Sequence, residues 1–121
     1  MLTPWADTLD RAQPLPEYPR PQMVRDSYLN LNGPWSYAIT TSASKPAQAD
    51  GTILVPFSPE SELSGVGHVL QPEEYLWYIR TVTLPDGFNV GRVLLHFGAV
   101  DQTATVWCNG VELTTHTGGY L

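Results

Sequence analysis

The chain has 121 residues, 42% of them hydrophobic, with twelve acidic against six basic side chains and a formal net charge of −6. That length has room for one core, and so acidic a chain with scattered cations argues against a nucleic-acid partner and against an anionic membrane surface. Its single cysteine, Cys108, cannot form an internal disulfide and has no second thiolate for a zinc site. At the end of a strand pattern, Cys108 reads as a small buried hydrophobe.

Met1 to Asp7 lacks the basic start and apolar run of a secretory leader, so cytoplasmic residence is expected. No apolar run approaches the roughly 18 residues that a membrane helix requires. Residues 1–27 read as an irregular arm. Pro14, Pro16, Pro19 and Pro21 remove backbone donors and favour extended conformations. Tyr18, Met23 and Val24 give the arm something to bury, so it is either laid across a surface or a disordered leader.

Leu29 to Gly33 reaches a turn. Pro34 to Ile39 then alternates, with Trp35, Tyr37 and Ile39 on one face, as a half-buried strand does. Thr40 to Gly51 is small and polar, a surface loop. Thr52 to Phe57 is a short β-branched run, bounded by Pro56 and Pro59. Glu60 to Glu74 is a long connection without clear helical period, and connections of that length are often functional. Tyr75 to Leu84 is the clearest strand, with Leu76, Tyr78, Arg80, Val82 and Leu84 on one side. Arg92 to Phe97 reads as another, with Val93, Leu95 and Phe97 facing together and His96 on the outer face. Gln102 to Cys108 and Val111 to His116 close as a hairpin about Asn109-Gly110, which can take the positive φ angles of a type I′ turn.

Six strands with turn signals between them predict an all-β antiparallel sandwich or jelly roll, a fold that normally needs about eight. The loop-like ending Thr117 to Leu121 leads to the expectation that the chain is a piece of a larger architecture.

The motifs Leu31-Asn32-Gly33-Pro34-Trp35, Val55-Pro56-Phe57, Leu76-Trp77-Tyr78, Gly98-Ala99-Val100-Asp101, Val106-Trp107-Cys108-Asn109-Gly110, and His116 with Gly118-Gly119-Tyr120 occur in one order. Together they resemble the N-terminal sugar-binding domain of family 2 glycoside hydrolases, the group of β-galactosidases, β-glucuronidases and β-mannosidases. The resemblance covers about Tyr28 to Leu121. It implies a galactose-binding-like jelly roll, incomplete at its C-terminal end, over residues 28–121. It also implies an immunoglobulin-like domain and a barrel with two catalytic glutamates, neither within this chain. The family often has Arg after its Trp-Tyr pair, where this chain has Ile79 followed by Arg80.

Retaining glycoside hydrolysis needs a proton-donating carboxyl and a nucleophilic carboxylate about 5 Å apart. Glu60 and Glu62 are the tempting pair, since i, i+2 spacing on an extended segment puts both on one side. Solvated loop carboxylates are the plainer reading. Glu73 and Glu74 face opposite ways if extended and are given no catalytic role. His68, His96 and His116 match no metal-ligand spacing. Ser58, Ser61 and Ser64 lack a nucleophile elbow, and Gly65-Val66-Gly67 lacks the strand-then-helix context of a nucleotide loop. No catalytic residue, metal or cofactor is expected in this chain.

Trp35, Trp77 and Trp107 lie in strand patterns and are assigned to the core, which leaves Trp5 as a free aromatic. The resemblance implies that the loop before the Leu-Trp-Tyr strand reaches toward the substrate pocket. On this chain that loop is Ser58 to Glu74, making Glu60, Glu62 and His68 candidate substrate contacts. Asp101 is a fourth candidate, or else caps a turn. The leading expectation is therefore the accessory domain of a β-galactosidase-like enzyme. Its partners would be a carbohydrate substrate, the rest of its own polypeptide and a second subunit. A stand-alone carbohydrate-binding module and a structural assembly domain are the alternatives. Fold alone does not separate the three.

Overall fold

The computed structural model describes residues 2–17, 25 and 27–120. Tyr18, Pro19, Pro21, Met23 and Val24 of the arm lie outside them. The described residues form an all-β, antiparallel fold with five strands, as befits a β-sandwich fragment. The strands are β1 (Gly33–Thr40), β2 (Gly51–Val55), β3 (Tyr75–Ile79), β4 (Thr103–Cys108) and β5 (Val111–Thr117). Short 3₁₀ turns at Pro4–Thr8 and Glu62–Ser64 complete the regular structure among the described residues. The chain divides into two compact units, Met1–Thr83 and Leu84–Leu121.

The first unit holds a three-stranded sheet in the order β2-β1-β3. β1 is central because its alternation suits both neighbours. Trp35 pairs with Ile53, Tyr37 with Tyr78, and Ile39 with Leu76, so one face gathers the large apolar side chains. Ile53 is fully buried, with Ala38 and Leu54 nearly so. Three contacts then fix Trp35. Its indole N–H donates to the Leu31 carbonyl at 2.8 Å, Tyr78 meets it edge-on at 6.4 Å between centroids, and the Arg80 guanidinium lies 5.7 Å over the ring. The same guanidinium donates to the Leu31 carbonyl at 2.6 Å, tying the chain beyond β3 to the entry of β1.

The described part of the arm is laid on this unit. Asn30 donates to the carbonyls of Leu15 and Pro16, and Asn32 to that of Pro14, all at 3.2–3.3 Å. Pro14 is buried. Gly33 is required where the arm crosses β1. Its φ is +122°, and a Cβ there would stand 2.9 Å from the Ala12 carbonyl oxygen.

The second unit is built around a β4-β5 hairpin. Asn109 (φ 51°) and Gly110 (φ 81°) both adopt positive φ, as the Asn-Gly signal predicts. Thr105 and Thr115 share a cross-strand hydrogen bond of 2.9 Å, and the register shifts by a bulge at Val106/Trp107.

Four sequence expectations are corrected here. Arg92 to Phe97 forms no strand: its residues are irregular and exposed, and His96 accordingly lies on no strand face. β3 ends at Ile79 rather than Leu84, so Val82 and Leu84 fall outside it. Cys108 is exposed rather than buried, and Trp107, assigned to the core, is 45% exposed. One physical reason covers these cases. Alternation marks which side chains could share a face, but a strand also needs a backbone partner and a buried residue needs a cover.

Candidate functional site

The connection from Ser58 to Glu74 is a structured loop. Ser61 begins its 3₁₀ turn by accepting from the Leu63 amide at 3.2 Å. Ser64 turns inward, 2% exposed, and its hydroxyl donates to the Ser61 carbonyl at 2.7 Å while accepting from the Val66 amide at 3.1 Å. Gly65 (φ 81°) and Gly67 (φ 68°) then reverse the chain through conformations that side chains rarely adopt. That reversal lets the His68 amide donate to the Pro59 carbonyl at 3.0 Å, closing the loop on itself.

A second turn follows. The Glu74 amide donates to the Gln71 carbonyl, and the Glu74 carboxylate accepts from the Gln71 amide at 2.9 Å. The same Oε2 meets His68 Nε2 at 2.7 Å. The His68 hydrogen bond and then the Gln71 amide hold the Glu74 carboxyl below its ordinary value. Sequence reasoning gave Glu74 no role and did not foresee this pair. The available signal was the spacing: two glycines before His68 and Pro72 after it favour folding the seven residues 68–74 into one clasp.

Glu60 is also held low, by its own backbone N–H first and then by the Ser58 hydroxyl, with smaller help from the Leu70 amide and His68. Tyr78, on the adjacent strand, is shifted the other way. Burial raises its hydroxyl, and the Glu60 charge adds to that. Glu60, His68, Glu74 and Tyr78 thus form one electrostatically linked group.

The structure brings Glu60 and Glu62 to one cleft, although by a turn and a 3₁₀ helix rather than an extended segment. The cleft holds about 380 Å³ and is bounded by Leu2, Thr3, Glu60, Ser61, Glu62 and Leu63. Trp5 stands two residues beyond Thr3, 77% exposed, on the Pro4–Thr8 turn. Trp35 and Trp77 are half-buried in the sheet, the latter donating from its indole to Thr40 Oγ1 at 3.0 Å. A second cleft, about 420 Å³, lies between Arg11 and the β1-β2 face. Asp101 belongs to the other unit. It stands just before β4, its Oδ1 3.0 Å from where a side chain on Gly119 would begin, and its carboxylate caps no turn among the described residues.

Carboxylates can accept hydrogen bonds from sugar hydroxyls, and an exposed aromatic can offer a face to sugar C–H groups. Proton donation is another matter. A carboxyl held low is ionised at neutral pH, so neither Glu60 nor Glu74 is set up as the general acid of glycoside hydrolysis. No group of three or more His, Cys, Asp or Glu among the described residues is arranged to hold a metal ion.

No family model matches the chain. Its curated relatives are nonetheless consistent in kind. It is 32% identical to a β-glucuronidase of Felis catus and 31% identical to that of Sus scrofa, each over 86% of this chain and 18% of the relative. A shorter stretch, 39% of this chain and 8% of the relative, is 42% identical to the human β-glucuronidase. The chain is thus similar to β-glucuronidases over most of its length. It spans about a fifth of the length of the relatives it matches most fully.

Proposed function

We propose that this chain is the N-terminal accessory domain of a family 2 β-glycosidase, β-galactosidase-like in its substrate. In this reading it supports a catalytic barrel and lends the Ser58–Glu74 loop to the substrate pocket. The observation that carries it is the similarity to β-glucuronidases across 86% of the chain, joined to a hydrogen-bonded loop bearing Glu60, Glu62 and His68. Hydrolysis of the O-glycosyl bond belongs to the parent enzyme, whose two catalytic glutamates lie in the barrel. The chain itself contributes hydroxyl acceptors and shape.

The test is turnover of aryl β-galactoside, β-glucuronide, β-glucoside and β-mannoside by the purified chain, beside the same assays on the product of the extended gene. The extended product should be active and the chain alone inert. Turnover by the chain that vanishes on Glu60→Gln/Glu62→Gln would move catalysis into this loop and overturn the reading. Calorimetry should give monosaccharide dissociation constants no tighter than about millimolar. Micromolar binding lost on Trp5→Ala would favour a stand-alone carbohydrate-binding module instead.

A further inference from the structure

We propose that Asn109 is a site of spontaneous deamidation, in which the Gly110 main-chain nitrogen closes on the Asn109 carboxamide, and that the isoaspartyl product opens the β4-β5 hairpin at its turn. The dipeptide Asn-Gly occurs twice in the chain, at Asn32-Gly33 and at Asn109-Gly110. Glycine hinders this ring closure least, because no side chain shields its nitrogen. The two sites therefore start equal in sequence, and the fold separates them.

Asn32 is held at several points. Its carboxamide donates to the Pro14 carbonyl at 3.2 Å and its amide to Asn30 Oδ1 at 2.8 Å, while its carbonyl accepts from Arg80 Nη1 at 3.4 Å. Gly33 is buried and opens β1 in register with Val55. Ring closure there would break the Pro14 bond and lift the start of the central strand. Asn109 has none of these restraints. Both turn residues are exposed and the space around Gly110 is open. Neither the Asn109 carboxamide nor the Gly110 amide has a hydrogen-bond partner among the described residues. Closure also requires the Asn109 main chain to leave its turn conformation, with φ at 51°. A ribbon with a single ladder frays readily, so that movement is open to the folded chain.

The step balances with water alone. The Gly110 nitrogen loses its proton to hydroxide and bonds to Asn109 Cγ. The Cγ–Nδ2 bond breaks, and the departing nitrogen takes a proton from water and leaves as ammonia, giving a five-membered succinimide. Water then opens the ring. Attack at Cγ breaks the new bond and leaves an aspartyl residue. Attack at the main-chain carbonyl carbon breaks the original peptide bond and leaves an isoaspartyl residue, with the chain running through Cγ. Either product adds one negative charge to the formal −6. The isoaspartyl form also puts Cβ into the main chain, and a two-residue I′ turn has no place for an extra atom. The pairing that the turn holds, the Thr105–Thr115 hydrogen bond included, is then lost.

The experiment is incubation of the purified chain at physiological temperature and pH, native and in concentrated guanidinium chloride, followed by peptide mapping with mass spectrometry. Each site is its own reference: the native rate of gaining one mass unit is divided by the rate in denaturant. That ratio should be at least about tenfold larger for Asn109 than for Asn32. The native rate at Asn109 should also rise with pH, because the attacking nitrogen must first lose its proton. Equal ratios overturn the proposal, small ones because the turn then protects Asn109 and large ones because Asn32 is then not held. No conversion of Asn109 in either condition overturns it outright. The isoaspartyl product, purified chromatographically, should lose the NOEs between Thr105 and Thr115 while those of β1-β2 persist. Retained hairpin NOEs in that product would overturn the opening of the turn.

Discussion

The three-stranded sheet and the β4-β5 hairpin draw on the same residue types, yet only the sheet makes a core. β1 lies between two partners and buries Ala38, with Ile53 and Leu54 covered from β2. The hairpin has one pairing, and every described residue of Leu84–Tyr120 is half-buried or exposed. Val93, Leu95 and Phe97 alternate as well as Trp35, Tyr37 and Ile39 do, but they have no ladder to join. A two-stranded ribbon is marginal in water, and three strands with an apolar face are the smallest sheet that stands alone. The difference teaches that apolar alternation marks a face a strand could bury, while the burial seen here goes with the three-stranded sheet, its edge strand β2 included.

The comparison is easiest to break at its centre. Ile53→Ala should cost about 2–5 kcal/mol in urea unfolding, because it removes a fully buried side chain. Leu113→Ala, at 58% exposed in β5, should stay within about 0.5 kcal/mol. Equal losses would mean that the hairpin has a core of its own. Gly110→Ala comes next. A non-glycine residue at φ +81° costs about 1–2 kcal/mol, which should weaken cross-strand NOEs between Thr105 and Thr115 and leave those of β1-β2 intact. Loss of both sets together would make the two regions one cooperative unit.

Arg80→Ala removes the donor to the Leu31 carbonyl and the cation over Trp35. It should lower stability of the first unit by about 1 kcal/mol, given its exposure, with Arg80→Lys recovering only part. An unchanged midpoint would show that the tie beyond β3 is dispensable.

The smallest effect concerns pH. The folded Glu74 carboxyl titrates below its ordinary value of 4.5. Its contribution is therefore full above that value and fades as pH falls through the lower folded one. Protection of the Gln71 amide against exchange, taken relative to its intrinsic rate at each pH, should fall in that acid range, and Glu74→Gln should remove the step without touching the hairpin. A step that persists in the variant would assign it to another carboxyl.

These regions also show how much the sequence discloses. The face of Trp35, Tyr37 and Ile39, the Leu76-Tyr78 side of β3 and the Asn109-Gly110 turn were all legible. Each is set locally, by two-residue alternation or by φ preference. The breakdown of Arg92 to Phe97 and the exposure of Cys108 and Trp107 were not, because they depend on absent neighbours. At the candidate site, the Ser58–Glu74 loop stood out by its length and its glycines. Its clasp did not, because pairing His68 with Glu74 rather than Glu73 turns on the rotation of one residue within a turn. Glu60 and Glu62 bound one cleft, but curvature of the chain rather than the extension read from their spacing brings them there.

The exposed Cys108 gives the molecule an unusual convenience. It is the sole thiol in the chain and stands beside the hairpin turn, so a maleimide dye or nitroxide will attach at one place without any prior mutation. Paramagnetic broadening from that one tag would map distances from the hairpin to every amide of the first unit. The same sulfur makes the protein sensitive to air. Two chains can be oxidised to a disulfide-linked dimer, and a reducing agent should return them to single chains on a non-reducing gel.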